Sequence, residues 1–403
     1  MLLISLRARV LLFLVALLLL IPVIGIRLQS EARLVQFHNR SLTPLPPLAN
    51  FAGDPVEFFR QTKAWLADRA YPILAAAMLQ KKILFYVLKT PPQRRITLGS
   101  DGFIFVNGGS EETVNGILAN VCVNSHTESI AAQLRDGLPG IVEFARSRNL
   151  AVDVIVVPTS MTLYANHLPA SVPQQLREAC NERRVGNSPL ARLTPPPGMN
   201  LVFPFQPMKA ASSDDAFFPK GHWHASGMSL KVVRDAYLAA KGITRQIDDR
   251  LERGMAPSEI MGTYGMEVNL PIYFLRNRHV HVDANRAAAF NAAIRDRFQG
   301  GQATTRAYSN TDPVLDESVL MLSDSYGEFT SEVFAGAFRA TLQVTANNLP
   351  RQNVAEVIDR TREKLEIDRL ILLVQEGGIG DLIVWSGALR SATPARSAAG
   401  MPP

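Results

Sequence analysis

The chain has 403 residues, of which 47% are hydrophobic and 19% charged, and its formal net charge is +6. This composition describes an ordinary globular core, excludes wholesale disorder, and fits one large domain or two small ones. The positive excess is mild and no Lys/Arg-rich run interleaved with aromatics stands out, so nucleic acid is not an expected partner.

Arg7 and Arg9 precede Val10 to Ile26, a charge-free stretch of 17 residues, and Arg27 follows. The stretch is at the short end for a membrane-spanning helix. Its basic flank keeps residues 1–9 in the cytoplasm. The segment from Gly25 to Gln29 lacks a small-residue cleavage site, so 10–26 reads as a single-pass signal anchor; a cleaved signal peptide is the competing reading. Either way the body lies beyond the inner membrane, in the periplasm if the cell is Gram-negative. Residues 27–57 read as a linker containing Pro44, Pro46 and Pro47. A helical period runs over 58–90 until Pro91-Pro92 stops it. Ile96 to Val106 is a hairpin signal with its turn at Asp101-Gly102.

Helical patterns follow over 128–149, 227–241, 284–298 and 353–365, with another helix before a Pro-rich loop at 194–207. Three apolar runs, 151–157, 319–322 and 369–374, have the look of strands buried on both faces of a parallel sheet. An amphipathic pattern of Phe329, Val333, Phe334, Phe338 and Leu342 predicts one long helix after the second run. Helices alternating with such strands give a three-layer α/β/α sandwich, with 58–386 as one domain and 387–403 as a disordered Ala/Ser/Pro tail. Cys122 and Cys180 are the only cysteines, and in an exported domain they form either one disulfide or two buried thiols.

The chemistry gathers around Val319-Leu-Met-Leu-Ser-Asp-Ser325. A buried strand that ends in a serine, with a helix starting there, exposes the hydroxyl at the strand's carboxyl end. The helix N-terminus favours negative charge beside it. The backbone N–H groups of Ser325 and Tyr326 are therefore candidate donors to an oxyanion. A serine needs a base to become a nucleophile, and His222, in Phe217-Phe-Pro-Lys-Gly-His-Trp-His224, is the candidate. The alternative for Asp324-Ser325 is a plain helix cap. His222-x-His224 and His279-x-His281 lack a Cys/Asp/Glu cluster, so neither a metal nor a cofactor is expected.

Several separated pieces resemble, in order, the alginate O-acetylation proteins, which carry an SGNH hydrolase-like acetyltransferase domain behind a signal anchor. These are Asn39-Arg40 with the prolines that follow, Phe58 to Arg69, Ile96 to Phe105, Val156-Val-Pro158 through Tyr164 to Leu168-Pro169, His222-Trp223 with Gly227, and Leu322 to Ser325. The resemblance covers about 35–385 and implies an SGNH-like fold with permuted catalytic blocks, His before Ser. It also implies O-acetylation of an exopolysaccharide or cell-envelope glycan through an acetyl-serine, with a polysaccharide substrate and a membrane acetyl-donor protein as partners. The chain departs from the pattern where the family acid stands: that place holds Lys220. Asp215, with Asp214 beside it, is the candidate orienting acid, and a backbone carbonyl is the alternative. Ser323 and Ser160 replace a glycine and a lysine of the pattern. A non-catalytic polysaccharide-binding or assembly protein and a carbohydrate acetylesterase are the alternative functions.

Overall fold

The computed structural model describes residues 42–69, 79–91, 96–106, 114–181, 193–213, 215–263, 268–301 and 303–393, with a few isolated positions beside them. The expected anchor, Val10 to Ile26, and Asp214 lie outside the described residues. Among the described residues no helix is long and apolar enough to cross a membrane. The chain divides into two compact units: Met1–Gln93 with Pro257–Leu270, and Arg94–Ala256 with Pro271–Pro403.

The first unit contains helix α1 (Pro55–Arg69). Its end is tied down by Thr43, whose N–H donates to Asp68 (2.7 Å) and whose carbonyl accepts from Arg69 (2.8 Å).

The second unit opens with the expected hairpin, β1 (Ile96–Leu98) and β2 (Ile104–Val106), antiparallel through a turn in which Asp101 and Gly102 take positive φ. Helices α2 (Val114–Cys122) and α3 (Asn124–Arg146) follow, then β3 (Ala151–Val157), α4 (Gln174–Asn181) and β4 (Met199–Val202). A disulfide joins Cys122 of α2 to Cys180 of α4. After α5 (Gly227–Ala240) comes a ribbon of β5 (Asp249–Pro257) and β6 (Asn269–Asn277). The rest is β7 (Val280–Val282), α6 (Ala284–Ile294), β8 (Thr305–Asn310), β9 (Leu315–Ser323), α7 (Tyr326–Ala335), β10 (Phe338–Thr345), α8 (Val354–Leu365), β11 (Arg369–Gln375) and α9 (Ile379–Ser391).

Seven strands form the main sheet in the order β4-β3-β11-β9-β10-β8-β7. The first five are parallel, and β8 and β7 add antiparallel at the far edge. Side chains alternate between two apolar layers, as a period of two requires. Val152, Val154 and Val156 pack with α3, α6, α8 and α9 on one face. Ile155 and Val157 pack with α2, α5 and α7 on the other. Helices therefore cover both sides of a mostly parallel sheet.

Asp153 is the polar exception on β3. Burial pushes its carboxyl up, but Arg369 (2.7 Å), Lys241 (3.5 Å), the Tyr237 hydroxyl (2.8 Å) and the Asn200 N–H (3.0 Å) outweigh that and leave its pKa below the ordinary value. This network closes the sheet at the amino ends of β3 and β11, away from Ser325.

Two expectations about elements change. The helix after Ser325 stops at Ala335, and Phe338 to Thr345 is strand β10. Phe338 and Leu342 fall at helical spacing by coincidence: Leu342 and Val344, two residues apart, enter one layer, as a strand requires. The tail also begins later than Gly387, because α9 runs to Ser391 and buries Leu389.

Candidate active site

Strand β9 is central, and all four residues Val319–Leu322 are fully buried. From β9 the chain passes over α7 to β10 on one side, then over α8 on the opposite face to β11 on the other side. Such a reversal opens a crevice at the carboxyl ends of the strands. Ser325 stands there as the residue before α7, its backbone already helical (φ −61°, ψ −20°). The Ser325 N–H has no acceptor among the described residues.

The approach of α7 to its strand depends on a pair of residues. Ser323, where the family pattern has glycine, points under α7 and accepts from Gln343 (3.1 Å). A Cβ on Gly327 would overlap the Ser323 hydroxyl. Gly327→Ala is therefore expected to cost about 1–3 kcal/mol by overpacking, and Ser323→Gly in the same chain should recover most of it. Urea denaturation of the two single variants and the double variant measures this. Additive losses would rule out the steric pairing.

The ring at hydrogen-bond distance from Ser325 is that of His224, not the expected His222: His224 Nε2 lies 3.3 Å from Ser325 Oγ. The local backbone explains the shift. The His222 N–H closes a turn onto the Pro219 carbonyl (3.0 Å), and His222 is only 6% exposed. The chain then runs through Trp223 and brings the next histidine to the crevice. The Trp223 carbonyl accepts from the Tyr326 hydroxyl, which ties this segment to the first residue of α7. His224 stacks on Phe329 (4.3 Å between centroids, 30°) and tilts against Tyr326 (4.9 Å).

Lys220, in the place of the family acid, faces the hairpin. Its Nζ donates to the Asp101 carbonyl (3.0 Å) and lies 5.0 Å from the centre of the Phe103 ring. Asp215 is exposed and pairs with Arg253 (2.9 Å), so its carboxylate is held by the β5 ribbon.

Of the two expected oxyanion donors, Tyr326 is engaged: its N–H donates to Asp324 Oδ1 (2.9 Å). Asp324 Oδ2 accepts from the Gln375 N–H (2.6 Å), joining β9 to β11 at the crevice. Asn347 and Asn348 are exposed in the turn after β10.

Sequence reasoning missed Glu376, a fully buried carboxylate directly after β11 that accepts from the Thr162 hydroxyl (2.9 Å) and the Thr159 N–H (3.3 Å). An apolar run ending in Gln-Glu-Gly-Gly was the available signal. Among the described residues no group of three or more possible metal ligands occurs.

Burial pushes the Asp324 carboxyl up to about 6, against the two N–H donors and the nearby His224 ring, with Asp381 reinforcing the rise. The folded value exceeds the ordinary 3.8. The fold therefore favours the neutral acid, and that contribution is full below about pH 4 and lost as pH rises through about 6. Parent stability should fall by up to about 3 kcal/mol more than that of Asp324→Asn between pH 4 and pH 7. Denaturant titrations at both pH values check this. Equal losses in the two proteins would place the Asp324 pKa near its ordinary value.

No protein-family model matches the sequence, and no curated protein matches it either. Solved structures similar to this one include Bacillus cereus PatB1 with a sulfonyl adduct, at 10% identity and a TM-score of 0.46, covering 70% of this chain and 97% of that one. The O-acetyltransferase domain of Pseudomonas putida AlgJ is similar at 11% identity and a TM-score of 0.43, covering 74% and 99%. Pseudomonas aeruginosa AlgX is similar at 10% identity and a TM-score of 0.39, covering 73% and 67%. At these identities the roles of individual residues rest on the geometry of this chain alone.

Proposed function

We propose that the chain is an O-acetyltransferase of SGNH-like type acting on an exopolysaccharide or cell-envelope glycan, alginate-like in kind. The observation that carries the reading is the His224 Nε2 to Ser325 Oγ approach of 3.3 Å at the carboxyl end of a central strand. Apo sites often hold this contact slightly long. Ser325 passes its proton to His224 as Oγ attacks the acetyl carbonyl of the donor, and the Ser325 N–H faces the developing oxyanion. His224 returns the proton to the leaving group, and acetyl-Ser325 remains. A sugar hydroxyl then attacks, gives its proton to His224, and leaves as the acetyl ester while Ser325 is regenerated.

Val10 to Ile26 would anchor this machinery in the inner membrane with the body in the periplasm, beside a membrane protein that supplies acetyl groups. Pairing of Asp215 with Arg253 favours the second reading, a glycan-binding or assembly protein with an impaired site.

The test is turnover of a chromogenic acetate by the purified protein and by Ser325→Ala. The parent should turn over and gain the mass of one acetyl group on Ser325, and the variant should do neither while keeping the parent's circular dichroism. Equal turnover in the two would remove Ser325 as nucleophile. A folded parent with no turnover and no acetylation, but with retained glycan binding, would select the second reading.

A further inference from the structure

Phe329 is the large apolar residue beside this site that the core does not use. It lies on α7 four residues after Ser325, which puts both on one face of the helix. The residue is 43% exposed, while Val333 and Phe334 of the same helix are buried. What the ring does touch is the imidazole of His224, at 4.3 Å and a near-parallel 30°. Tyr326 meets the same imidazole from another direction at 4.9 Å and 58°, and its hydroxyl holds the Trp223 carbonyl next to the histidine. Imidazole rotates about two side-chain bonds, and a contact on the ring face limits both. Aromatic pairs of this geometry contribute about 0.5–1.5 kcal/mol beyond the area they bury.

We infer that Phe329 is the positioning residue that fixes the plane of the His224 imidazole, aiming Nε2 at Ser325. The inference rests on the acyl-transfer reading of the site. It assigns Phe329 no contact with the reacting atoms. Because the helix that presents the nucleophile also presents the stacking ring, a shift of α7 moves serine and histidine together.

The experiment compares the parent with Phe329→Ala, Phe329→Leu and Phe329→Tyr in two assays. The first is steady-state turnover of a small chromogenic acetate. The second is the rate at which phenylmethylsulfonyl fluoride labels Ser325, followed by intact mass. In the labelling step a Ser325 Oγ–sulfur bond forms and the sulfur–fluorine bond breaks. Fluoride leaves, and the serine proton passes to His224, so the rate reads the histidine's placement without a glycan.

Phe329→Ala should lower kcat and the labelling rate together by about 10- to 100-fold, the usual cost of misplacing a reacting group by an ångström. KM should barely change, and the melting temperature should stay close to the parent's because the ring is largely outside the core. Phe329→Tyr should restore both rates. Phe329→Leu, of similar bulk but without a flat face, should not. A parent that turns over and is labelled, with Phe329→Ala equal to it in both assays, overturns the inference alone. So does full recovery by leucine. A parent that neither turns over nor is labelled at Ser325 overturns the acyl-transfer reading and this inference with it.

Discussion

Replacing His224 with Gln is expected to slow acetate turnover by about 10²–10⁴-fold, the share that a positioned general base supplies. Glutamine keeps a hydrogen-bonding group near Ser325 Oγ but cannot take and return a proton at neutral pH. The loss should appear in kcat, because His224 is half-buried in the crevice and one ring nitrogen already faces the serine at 3.3 Å. His222→Gln is the matched control. His222 is buried beneath the same turn, so its replacement should lower the melting temperature while the folded fraction keeps its kcat. The opposite pattern, turnover lost in His222→Gln and kept in His224→Gln, would return the base to His222.

Arg234→Met is expected to destabilise the second unit by about 3–5 kcal/mol, because it leaves a charge buried without its partner. Arg234 and Asp249 are both 1% exposed and lie 2.5 Å apart. Arg234 also donates to the Val333 carbonyl in the last turns of α7 (3.3 Å). The side chain thus braces three elements: α5, which begins just after His224; α7, which begins just after Ser325; and the ribbon strand that carries Asp249. Removing it leaves Asp249 with the Asn277 amide at 3.3 Å. Arg234→Met with Asp249→Leu should regain much of the loss, since well-packed apolar replacement of a buried pair is often neutral or better. Chemical denaturation of the single and double variants measures both effects. A single variant within about 1 kcal/mol of the parent would show that Asp249 does not depend on Arg234 for its charge.

The parts of the fold legible in the sequence are those buried on both faces. Strands β3, β9 and β11 read as continuous apolar runs because helices cover both sides of the sheet there. Strand β4 was hidden among prolines, and β5 was hidden because Arg250, Glu252 and Arg253 interrupt any apolar period. Strand β10 was mistaken for helix because Thr341, Gln343 and Thr345 put polar groups on its α7 side, which erased the signature of a buried strand. The position of Ser325 was legible for the same reason as β9: the apolar run ends where the strand ends, and the serine follows directly before α7. Which of the two histidines lies beside Ser325 could not be read from spacing, because the turn closed by Pro219 and His222 sets it. Asp215 was a reasonable carboxylate in the chain, but a loop aspartate is free to be taken by any neighbouring arginine, and Arg253 takes it.

The hairpin β1–β2 grips the histidine-bearing segment at Lys220. The Ile104 N–H donates to the Lys220 carbonyl (3.0 Å), and the Lys220 ammonium donates back to the Asp101 carbonyl at the hairpin's turn. The lysine that stands in for an acid is thus a clasp between two distant stretches of chain. Segment 220–224 rides on the hairpin much as a type bar rides on its lever. Changes to the hairpin's exposed turn offer a means of tuning how closely the histidine addresses the serine, without altering any residue in the crevice.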